Sequence, residues 1–372
     1  MPKENFLLNA SVENEGILFI SSRSDIGGGP GHLVDLTTNL KALGFKKSIY
    51  IASPLAPPHG QKLKSIAEKH FEIPERKFSL PVFFRLFKFC INNHIKTIHS
   101  HGRGAGIYSR LLKLFKNFTI IHTFHGIHLE KSFTGLIKWN VDKALKPLTD
   151  YFVCVSKDEQ IEAISYNQCT EAKSICIVNG VDSEAIAQNY SAHKLADTIQ
   201  MGTLARLTYQ KGIDIALKYI KEFKAQYPEI KFKYLIAGDG EDKVNLEKQC
   251  QELGLSGEVD FVGNTAGPGE LLSKVDVYLS FSRWEGLPLS LLEAMSVGMP
   301  CLVSNVVGHT TLIDHGENGL KFELESSTDF KEKCLMLCQD NKLREKIRGE
   351  AKALIEKKYT AKSMAKKYIE LY

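Results

Sequence analysis

The sequence predicts an α/β fold of two doubly wound domains, each a parallel sheet with helices on both faces. The first observation is length, because 372 residues, 43% hydrophobic and 24% charged, are enough for two cores. The second is an alternation of short β-rich apolar runs with helical patterns, which indicates buried parallel strands joined by right-handed crossovers. The third is a single polar, strand-poor stretch at 183–198, which divides this series in two.

The predicted strands fall into two groups of six, one on each side of that stretch. The first group comprises 17–22, 47–53, 95–101, 118–124, 151–156 and 174–180. The second comprises 199–205, 231–238, 259–263, 275–282, 300–305 and 319–323. We assign 1–184 to an N-terminal Rossmann-like domain, 185–198 to a linker, 199–355 to a C-terminal Rossmann-like domain and 356–372 to a last helix. Ligands of such sheets collect at the carboxyl ends of the strands, so we expect a site in the cleft between the domains.

Cysteine usage and hydropathy indicate the compartment. The eight cysteines are scattered, with neither a C-x-x-C pair nor a Cys/His cluster, which argues against a disulfide scaffold or a zinc framework. The first 16 residues contain no apolar signal segment, and no run approaches the roughly 20 apolar residues of a membrane span. We therefore expect a cytoplasmic protein.

Positive charge is concentrated in one region. Residues 51–150 hold 16 Lys and Arg against six Asp and Glu, while the whole chain carries only +5. Within it, 76–89 and 110–118 mix aromatic and basic residues. Two interpretations stay open: a helix over 82–92 packed under the next strand with snorkelling cations, or contact with an anionic membrane at its inner face. Nucleic acid is not an expected partner, because no stacking motif or helix-turn-helix pattern is present.

Glu285 and Glu293 lie on either side of a predicted helix start in SRWEGLPLSLLEAMS. Pro288 is expected at the first helical position, where its missing N–H costs nothing. The free amides and the positive dipole end favour phosphate, and each carboxylate can accept two hydroxyl hydrogen bonds. A nucleotide sugar, with phosphates in the middle and polyols at both ends, fits this arrangement. The alternative is a helix-capping loop with two solvated glutamates.

Two further loops belong to the same cleft. Arg206 and Lys211 follow the first strand of the second domain and could hold a diphosphate and neutralise it as it leaves. They could also be solvated surface cations. The segment 24–32, SDIGGGPGH, follows the first strand and offers glycines for close approach of a ligand, or simply a turn into a helix.

In combination these motifs resemble the glycosyltransferases of the GT-B fold, in the large retaining group called glycosyltransferase family 4. The matching positions run in family order over nearly the whole chain: Gly27–Gly29, His125, Asn179–Asp182, Arg206, Lys211–Gly212, Gly238–Gly240, and Glu285 with Glu293. The resemblance implies two Rossmann-like domains facing across a cleft. It also implies an acceptor site in the first domain, a nucleotide-sugar site in the second, and a last helix that crosses back to the first.

The resemblance implies roles for individual residues. His125, Arg206, Lys211 and Glu285 would be catalytic: His125 beside the sugar near the reacting bond, Arg206 and Lys211 on the diphosphate, and Glu285 near the transferred sugar. Glu293 would accept the ribose hydroxyls. The other implied donor-binding residues are Gly28, Gly29, Gly238, Gly263, Asn264, Gly286, Leu287 and Leu289.

Two segments depart from the family pattern. Pro288 stands where many members have glycine, so Leu287 and Leu289 would have to supply the backbone amides. The segment 307–311 reads V-G-H-T-T where members often read V-G-G-x-x-E, which bears on contacts with the sugar.

The implied activity is transfer of a hexose or N-acetylhexosamine-type sugar from a nucleotide sugar, expected to be a UDP-sugar, to a glycan acceptor. Bacterial surface polysaccharide or lipid-linked glycan synthesis is the expected setting, with retention by front-face transfer. Neither a cofactor nor a metal is expected. The chain has no D-x-D motif, no cysteine or carboxylate stands at ligand spacing near the histidines, and Arg206 and Lys211 would do a metal's work. A non-catalytic nucleotide-sugar-binding protein and an epimerase or phosphorylase on the same fold remain alternatives.

Overall fold

The structure, a computed structural model, describes residues 15–25, 27–127, 133–188, 190–191 and 198–372. The strands of the N-terminal sheet are β1 Gly16–Ser21, β2 Ser48–Ser53, β3 Lys69–Glu72, β4 Ile95–His101, β5 Thr119–Thr123, β6 Tyr151–Cys154 and β7 Ser174–Cys176. Those of the C-terminal sheet are β8 Ile199–Leu204, β9 Phe232–Ala237, β10 Val259–Gly263, β11 Val277–Ser280, β12 Cys301–Ser304 and β13 Leu320–Phe322. Every pairing between them is parallel.

Helices connect the strands and cover both sheets. In the first half they are α1 Gly28–Ala42, α2 Gly60–Ile66, α3 Leu80–Asn92, α4 Gly102–Lys113, α5 Phe133–Leu145, α6 Lys157–Ser165 and α7 Ser183–Gln188. In the second half they are α8 Ile213–Gln226, α9 Lys243–Glu252, α10 Pro268–Leu272, α11 Leu289–Ser296, α12 Ser327–Gln339, α13 Asn341–Lys358 and α14 Ala361–Leu371. No helix among the described residues is both long enough and apolar enough to cross a bilayer.

The predicted fold class, two doubly wound α/β units, is confirmed. The strand orders are β3-β2-β1-β4-β5-β6-β7 and β10-β9-β8-β11-β12-β13. Strand β3 was not predicted, because this short edge strand, KHFE, has no buried side chain and so lacks an apolar signal. In each sheet the chain order reverses beside the first strand, at β1/β4 and at β8/β11. These switch points are where crevices form at the carboxyl ends of parallel strands.

The switch points of the two sheets face each other. Helices α1 and α11, which follow β1 and β11, pack together. A Cβ on Gly31, near the start of α1, would lie 3.4 Å from Leu289 Cδ1, at the start of α11. The amino ends of two helices therefore meet where the sheets present their carboxyl edges.

The chain returns to the N-terminal sheet at its end. Helix α13 runs to Lys358, so residues 356–358 of the predicted last segment still belong to α13, and Thr360 caps α14 by accepting a hydrogen bond from Ser363 N. Val181 N donates to Tyr359 O at 2.9 Å, which ties the crossing to the end of the N-terminal half. Helix α14 packs against α1 and buries three side chains in the N-terminal core, Met364, Ala365 and Tyr368.

In the predicted linker 185–198, the first residues belong to α7, and residues 189 and 192–197 lie outside the described part of the chain.

Candidate active site

Lys211 and Glu285 form a shielded ion pair at the carboxyl ends of two neighbouring strands, β8 and β11. Lys211 Nζ lies 2.5 Å from Glu285 Oε1, and the same oxygen accepts a 2.6 Å hydrogen bond from Ser282 Oγ. Gly212 allows this approach with a left-handed conformation (φ 64°), in which a Cβ would lie only 2.1 Å from the Phe281 carbonyl oxygen. The loop after β8 is thereby held against the loop after β11.

Glu285 is stabilised as a carboxylate. Burial by itself would raise the pKa of Glu285, but the Lys211 ammonium and the hydrogen bonds from Lys211 and Ser282 hold the pKa below its ordinary value. His309 is buried, with Nε2 3.1 Å from Ser280 Oγ and Nδ1 2.9 Å from the Ser304 carbonyl oxygen, and burial lowers its pKa to about 4. The neutral ring thus supports the loop, and the carboxylate keeps lone pairs for hydroxyl donors.

Arg206 faces guanidinium groups of the other domain. Its Nη2 lies 3.8 Å from Glu241 Oε1. Burial lowers the pKa of Arg206, and the charges of Arg23 and Arg76 lower it further. Arg23 Nε and Arg76 Nη2 lie 2.8 and 2.5 Å from the two carboxylate oxygens of Asp25. Glu75 Oε1 also lies 3.7 Å from Arg76 Nε, so three guanidinium groups meet three carboxylates here. Arg206, which Glu241 approaches only to 3.8 Å, is the guanidinium group best placed to bind phosphate oxygens.

Glu293 lies one turn inside α11 and has a second carboxyl group nearby. Burial raises the pKa of Glu293 to about 7. Burial also raises the pKa of Asp35, on the adjacent α1, to about 8, and the charge of Glu293 contributes to that rise. Within the described part of the chain no cation or hydrogen-bond donor holds the Glu293 carboxyl group. Its lone pairs are available to the hydroxyl groups of a ligand.

Helix α11 begins at Leu289, one residue later than predicted. Pro288 has an extended conformation (φ −71°, ψ 116°), and its carbonyl oxygen accepts the first helical hydrogen bond, from Leu292 N at 3.2 Å. Proline therefore precedes the helix as its cap. Among the described residues, no backbone carbonyl accepts from the N–H groups of Gly286, Leu287 and Leu289. These amides can bind an anion at the positive end of the helix.

Glycines allow the two domains to meet at the site. A Cβ on Gly286 would lie 3.1 Å from Glu159 Oε1 and 3.4 Å from Gly126 N. Glu159 Oε1 accepts a 2.6 Å hydrogen bond from Gly126 N, and burial raises the pKa of Glu159 to about 7. A Cβ on Gly29 would lie 3.2 Å from Cδ2 of His125. The loop that contains Gly286 and the start of α1 at Gly29 thus converge on the segment that carries His125.

The remaining predicted glycines differ in what surrounds them. Gly238 (φ 130°) has a packing role, because a Cβ there would lie 1.9 Å from the Ala205 carbonyl oxygen. Its N–H donates to Gly263 O at 2.8 Å. Around Gly263 and Gly28 a Cβ would meet nothing within 4 Å, and Asn264 is exposed. Gly28, Gly263 and Asn264 therefore border open space, with room for a ligand.

His125 belongs to a group of histidines beside α14. The side chains of His32, His101 and His125 offer nitrogens within 4.8 Å of one another, a grouping of the kind that can hold a metal ion. Both His32 nitrogens have other partners, however: Nδ1 lies 2.9 Å from Asn179 Oδ1 and Nε2 lies 3.3 Å from the Tyr368 hydroxyl. His101 Nδ1 and His125 Nε2 are 3.2 Å apart, within hydrogen-bonding distance. The nitrogens of His32, and the facing nitrogens of His101 and His125, are thus engaged in hydrogen bonds.

Sequence reasoning missed the residues that act across the domain interface. Asn179 Nδ2 donates to the Leu287 carbonyl oxygen at 3.0 Å, and Thr311 Oγ1 donates to Asp158 Oδ2 at 2.6 Å. Asn179 carried a signal, since it belongs to the N-G-V-D motif, but its partner could not be inferred. Arg23 carried none, because its charge acts on Arg206 from a distant segment of the chain and leaves no local pattern.

Comparisons with known proteins agree with this arrangement. The family model described as Glycosyltransferase Family 4 matches residues 26–185, and the model described as Glycosyl transferases group 1 matches residues 187–354. The O-antigen biosynthesis glycosyltransferase WbnH of Escherichia coli is 28% identical over 346 residues, which cover 91% of this chain and 95% of the relative.

Two further relatives are informative. The UDP-Gal:alpha-D-GlcNAc-diphosphoundecaprenol alpha-1,3-galactosyltransferase of Escherichia coli is 28% identical over 262 residues, 66% of this chain and 67% of the relative. Among solved structures, Anabaena HepE in complex with UDP and glucose has a TM-score of 0.82 at 18% identity, over 96% of this chain and 98% of that one. At that identity the likeness concerns the fold.

Two Rossmann-like domains that meet at their carboxyl edges are the architecture of GT-B glycosyltransferases. Within that class the two matched models together span most of the chain, and the protein belongs to the group 1 glycosyltransferases of family 4. The family resemblance of the sequence motifs is confirmed.

Proposed function

We propose that this glycosyltransferase moves a hexose or N-acetylhexosamine-type sugar from a UDP-sugar to a glycan acceptor, with retention of configuration and without a metal. The observation that carries the proposal is the Lys211–Glu285 pair beside the amino end of α11. The pair would offer a cation to a diphosphate and a carboxylate to sugar hydroxyls, next to backbone amides that donate to no backbone carbonyl of the described residues.

The donor would extend along this edge of the cleft. Its diphosphate would lie between Lys211, Arg206 and the amides of 286–289, with the ribose on Glu293 and the transferred sugar towards Glu285 and His125. Lys211 and Arg206 would stabilise the charge that grows on the departing diphosphate, the task that a divalent cation performs elsewhere. HepE, whose structure contains UDP and glucose, supports a uridine nucleotide as the first donor to test.

Retention would follow from front-face transfer, in which a donor phosphate oxygen takes the acceptor's proton. A double displacement would need a free carboxylate beneath the anomeric carbon. Glu285 is held by Lys211 and Ser282, and Glu159 accepts from the backbone N–H groups of Gly126 and Val155. Both carboxylates are therefore better suited to positioning than to attack.

The first test measures thermal stabilisation by a panel of nucleoside diphosphates and nucleotide sugars, with and without EDTA. We expect uridine nucleotides to raise Tm, EDTA to make no difference, and Glu293→Ala to abolish the shift. Glu252→Ala, at an exposed glutamate on α9, is the matched control and should keep it. A shift that EDTA removes would contradict metal independence, and stabilisation by another base would contradict the uridine donor.

The acceptor is proposed to be a growing glycan in surface polysaccharide synthesis, with a lipid-linked glycan as its specific form. The names of the relatives support this: WbnH acts in O-antigen biosynthesis, and the galactosyltransferase is named for an acceptor on diphosphoundecaprenol. An epimerase or phosphorylase would act without a glycan acceptor, so product formation that requires the acceptor separates these alternatives. Measurable turnover excludes a non-catalytic nucleotide-sugar-binding protein.

A surface of the N-terminal domain supports contact with an anionic membrane. Helix α3 buries Val82, Phe83, Leu86 and Cys90, as the packing interpretation expects. Its other face, with the end of α4, exposes Phe84 (51%), Leu114 (63%) and Phe115 (54%). Exposed Arg85, Lys88 and Lys116 lie in the same two segments. Exposed apolar side chains with cations in the same segments suit the headgroup region of an anionic bilayer.

Vesicle sedimentation tests this contact. The protein should bind phosphatidylglycerol vesicles and not phosphatidylcholine vesicles, and replacing Arg85, Lys88 and Lys116 by glutamine should weaken binding on the order of 10², at about 1 kcal/mol per cation. A variant at an exposed apolar residue of the other domain, Val244→Ser, should bind as wild type does. Equal partitioning into both vesicles would overturn the proposed contact.

A further inference from the structure

His101 presents one ring nitrogen to His125 and buries the other. The centroids of the two rings are 5.5 Å apart and their planes differ by 19°, while His101 Nδ1 and His125 Nε2 are 3.2 Å apart. The centroid separation exceeds the nitrogen separation by 2.3 Å, which is about the sum of two centroid-to-nitrogen radii. The rings are therefore nearly coplanar and meet head-on, and one proton lies between them.

The buried nitrogen of His101 decides which ring donates. His101 Nε2 is buried and, among the described residues, has no hydrogen-bond partner. The rings of His99, His32 and Phe19 surround His101 at 4.2, 5.4 and 6.2 Å. If His125 donated, His101 would carry its proton on Nε2 as a buried, unpaired N–H. Orphaned buried N–H groups are rarer in proteins than unpaired acceptors, so His101 donates from Nδ1.

The ring of His125 is also held from other sides. Gly29 leaves room for it where a Cβ would lie 3.2 Å from Cδ2. His32 contacts it edge-on, with centroids 5.0 Å apart and planes at 66°. A ring fixed at Nε2 and packed on both sides can present Nδ1 in one direction only.

We propose that His101 is a positioning residue for His125: it donates its Nδ1–H to His125 Nε2 and thereby places the His125 proton on Nδ1, as a donor on the side of the ring away from His101. The inference deepens the proposed function, since it supplies the donor that a sugar oxygen would meet beside the reacting bond. Holding such a group in one orientation and one tautomer is how a residue behind the site affects rate.

Nitrogen NMR of the wild-type protein tests the tautomer without any substrate. With ¹⁵N-histidine labelling, long-range proton–nitrogen correlations distinguish the two neutral tautomers, and the His125 resonances are those lost in His125→Gln. We expect His125 with Nδ1 protonated and Nε2 unprotonated. Protonation of His125 on Nε2, or on both nitrogens near neutral pH, would overturn the proposal whatever the enzyme transfers.

Two substitutions then test the effect on transfer. His101→Asn keeps an amide N–H near the position of Nδ1, whereas His101→Leu removes the donor. We expect His101→Leu to lower kcat by roughly 10- to 100-fold at unchanged UDP affinity, and His101→Asn to recover most of that loss. The control is His122→Asn, at a buried histidine bonded to Ser100 instead, which should change Tm but not kcat. Equal losses in both His101 variants would contradict the assigned hydrogen bond. Absence of turnover in wild type would count against the proposed function and leave the tautomer result intact.

Discussion

Replacement of Lys211 by alanine is expected to lower kcat by a factor on the order of 10² to 10³, the usual loss for one group that stabilises charge in the transition state. The ammonium lies 2.5 Å from Glu285 Oε1, and its side chain is 20% exposed. A diphosphate departing beside it would gain negative charge in a site where water screens poorly. The measurement is kcat at saturating donor, together with the affinity for UDP.

The same substitution also leaves Glu285 without its cation, so a structural effect must be separated from a catalytic one. The pKa of Glu285 is held low chiefly by Lys211 against the effect of burial, and removing Lys211 should destabilise the fold at neutral pH. The double variant Lys211→Ala/Glu285→Gln removes the unpaired charge and should recover that stability while kcat stays low. Lys274→Ala, at an exposed pair with Glu270, is the control for loss of a surface cation. Activity of Lys211→Ala within a few fold of wild type would refute the assigned role.

The sequence carried enough information for the framework because buried parallel strands have a strong local signal. Runs such as ILFIS and YLIA are apolar on both faces, and they became β1 and β9 within a residue or two. Strand β3 lies at an edge with no buried side chain, so hydrophobicity could not reveal it. The start of α11 was misplaced by one residue because proline suits both the cap and the first turn, and ψ alone decides between them.

The candidate site was predictable only where its residues lie in one short segment. The loop from Arg283 to Pro288 and its helix could be interpreted locally, and so could the cations after β8. Their partners could not: Asn179 meets Leu287 across 108 residues of sequence, and His101 meets His125 across 24. Periodicity and motifs specify which segments form strands and loops. Which side chains meet depends on how the strands pair within a sheet, as for His101 and His125, and on how the two completed sheets pack, as for Asn179 and Leu287.

Glu293→Gln is expected to stabilise the unliganded protein and to abolish donor binding. Burial raises the pKa of Glu293 from 4.5 to about 7, so the folded state binds this proton more tightly than the unfolded state does. The resulting cost is absent below about pH 4.5, grows as pH rises through 7, and is complete above it. Glutamine never ionises and escapes this cost, which we expect to be on the order of 1 kcal/mol after allowance for solvent screening.

Urea unfolding of wild type and Glu293→Gln at pH 5 and pH 8.5 measures that difference. The stabilisation should be small at pH 5 and larger at pH 8.5, and Glu252→Gln, at an exposed glutamate, should show no stabilisation at either pH.

Binding of UDP should require the ionised form of Glu293, because only the carboxylate accepts two ribose hydroxyls. The affinity of the wild-type protein for UDP should therefore weaken from pH 8 to pH 6. A flat UDP affinity over that range would contradict the role of Glu293. Stabilisation without loss of binding would mean that the carboxyl group is buried for packing alone. If both effects appear, the ionised carboxylate destabilises the empty fold and is retained for the ligand whose hydroxyl groups it binds.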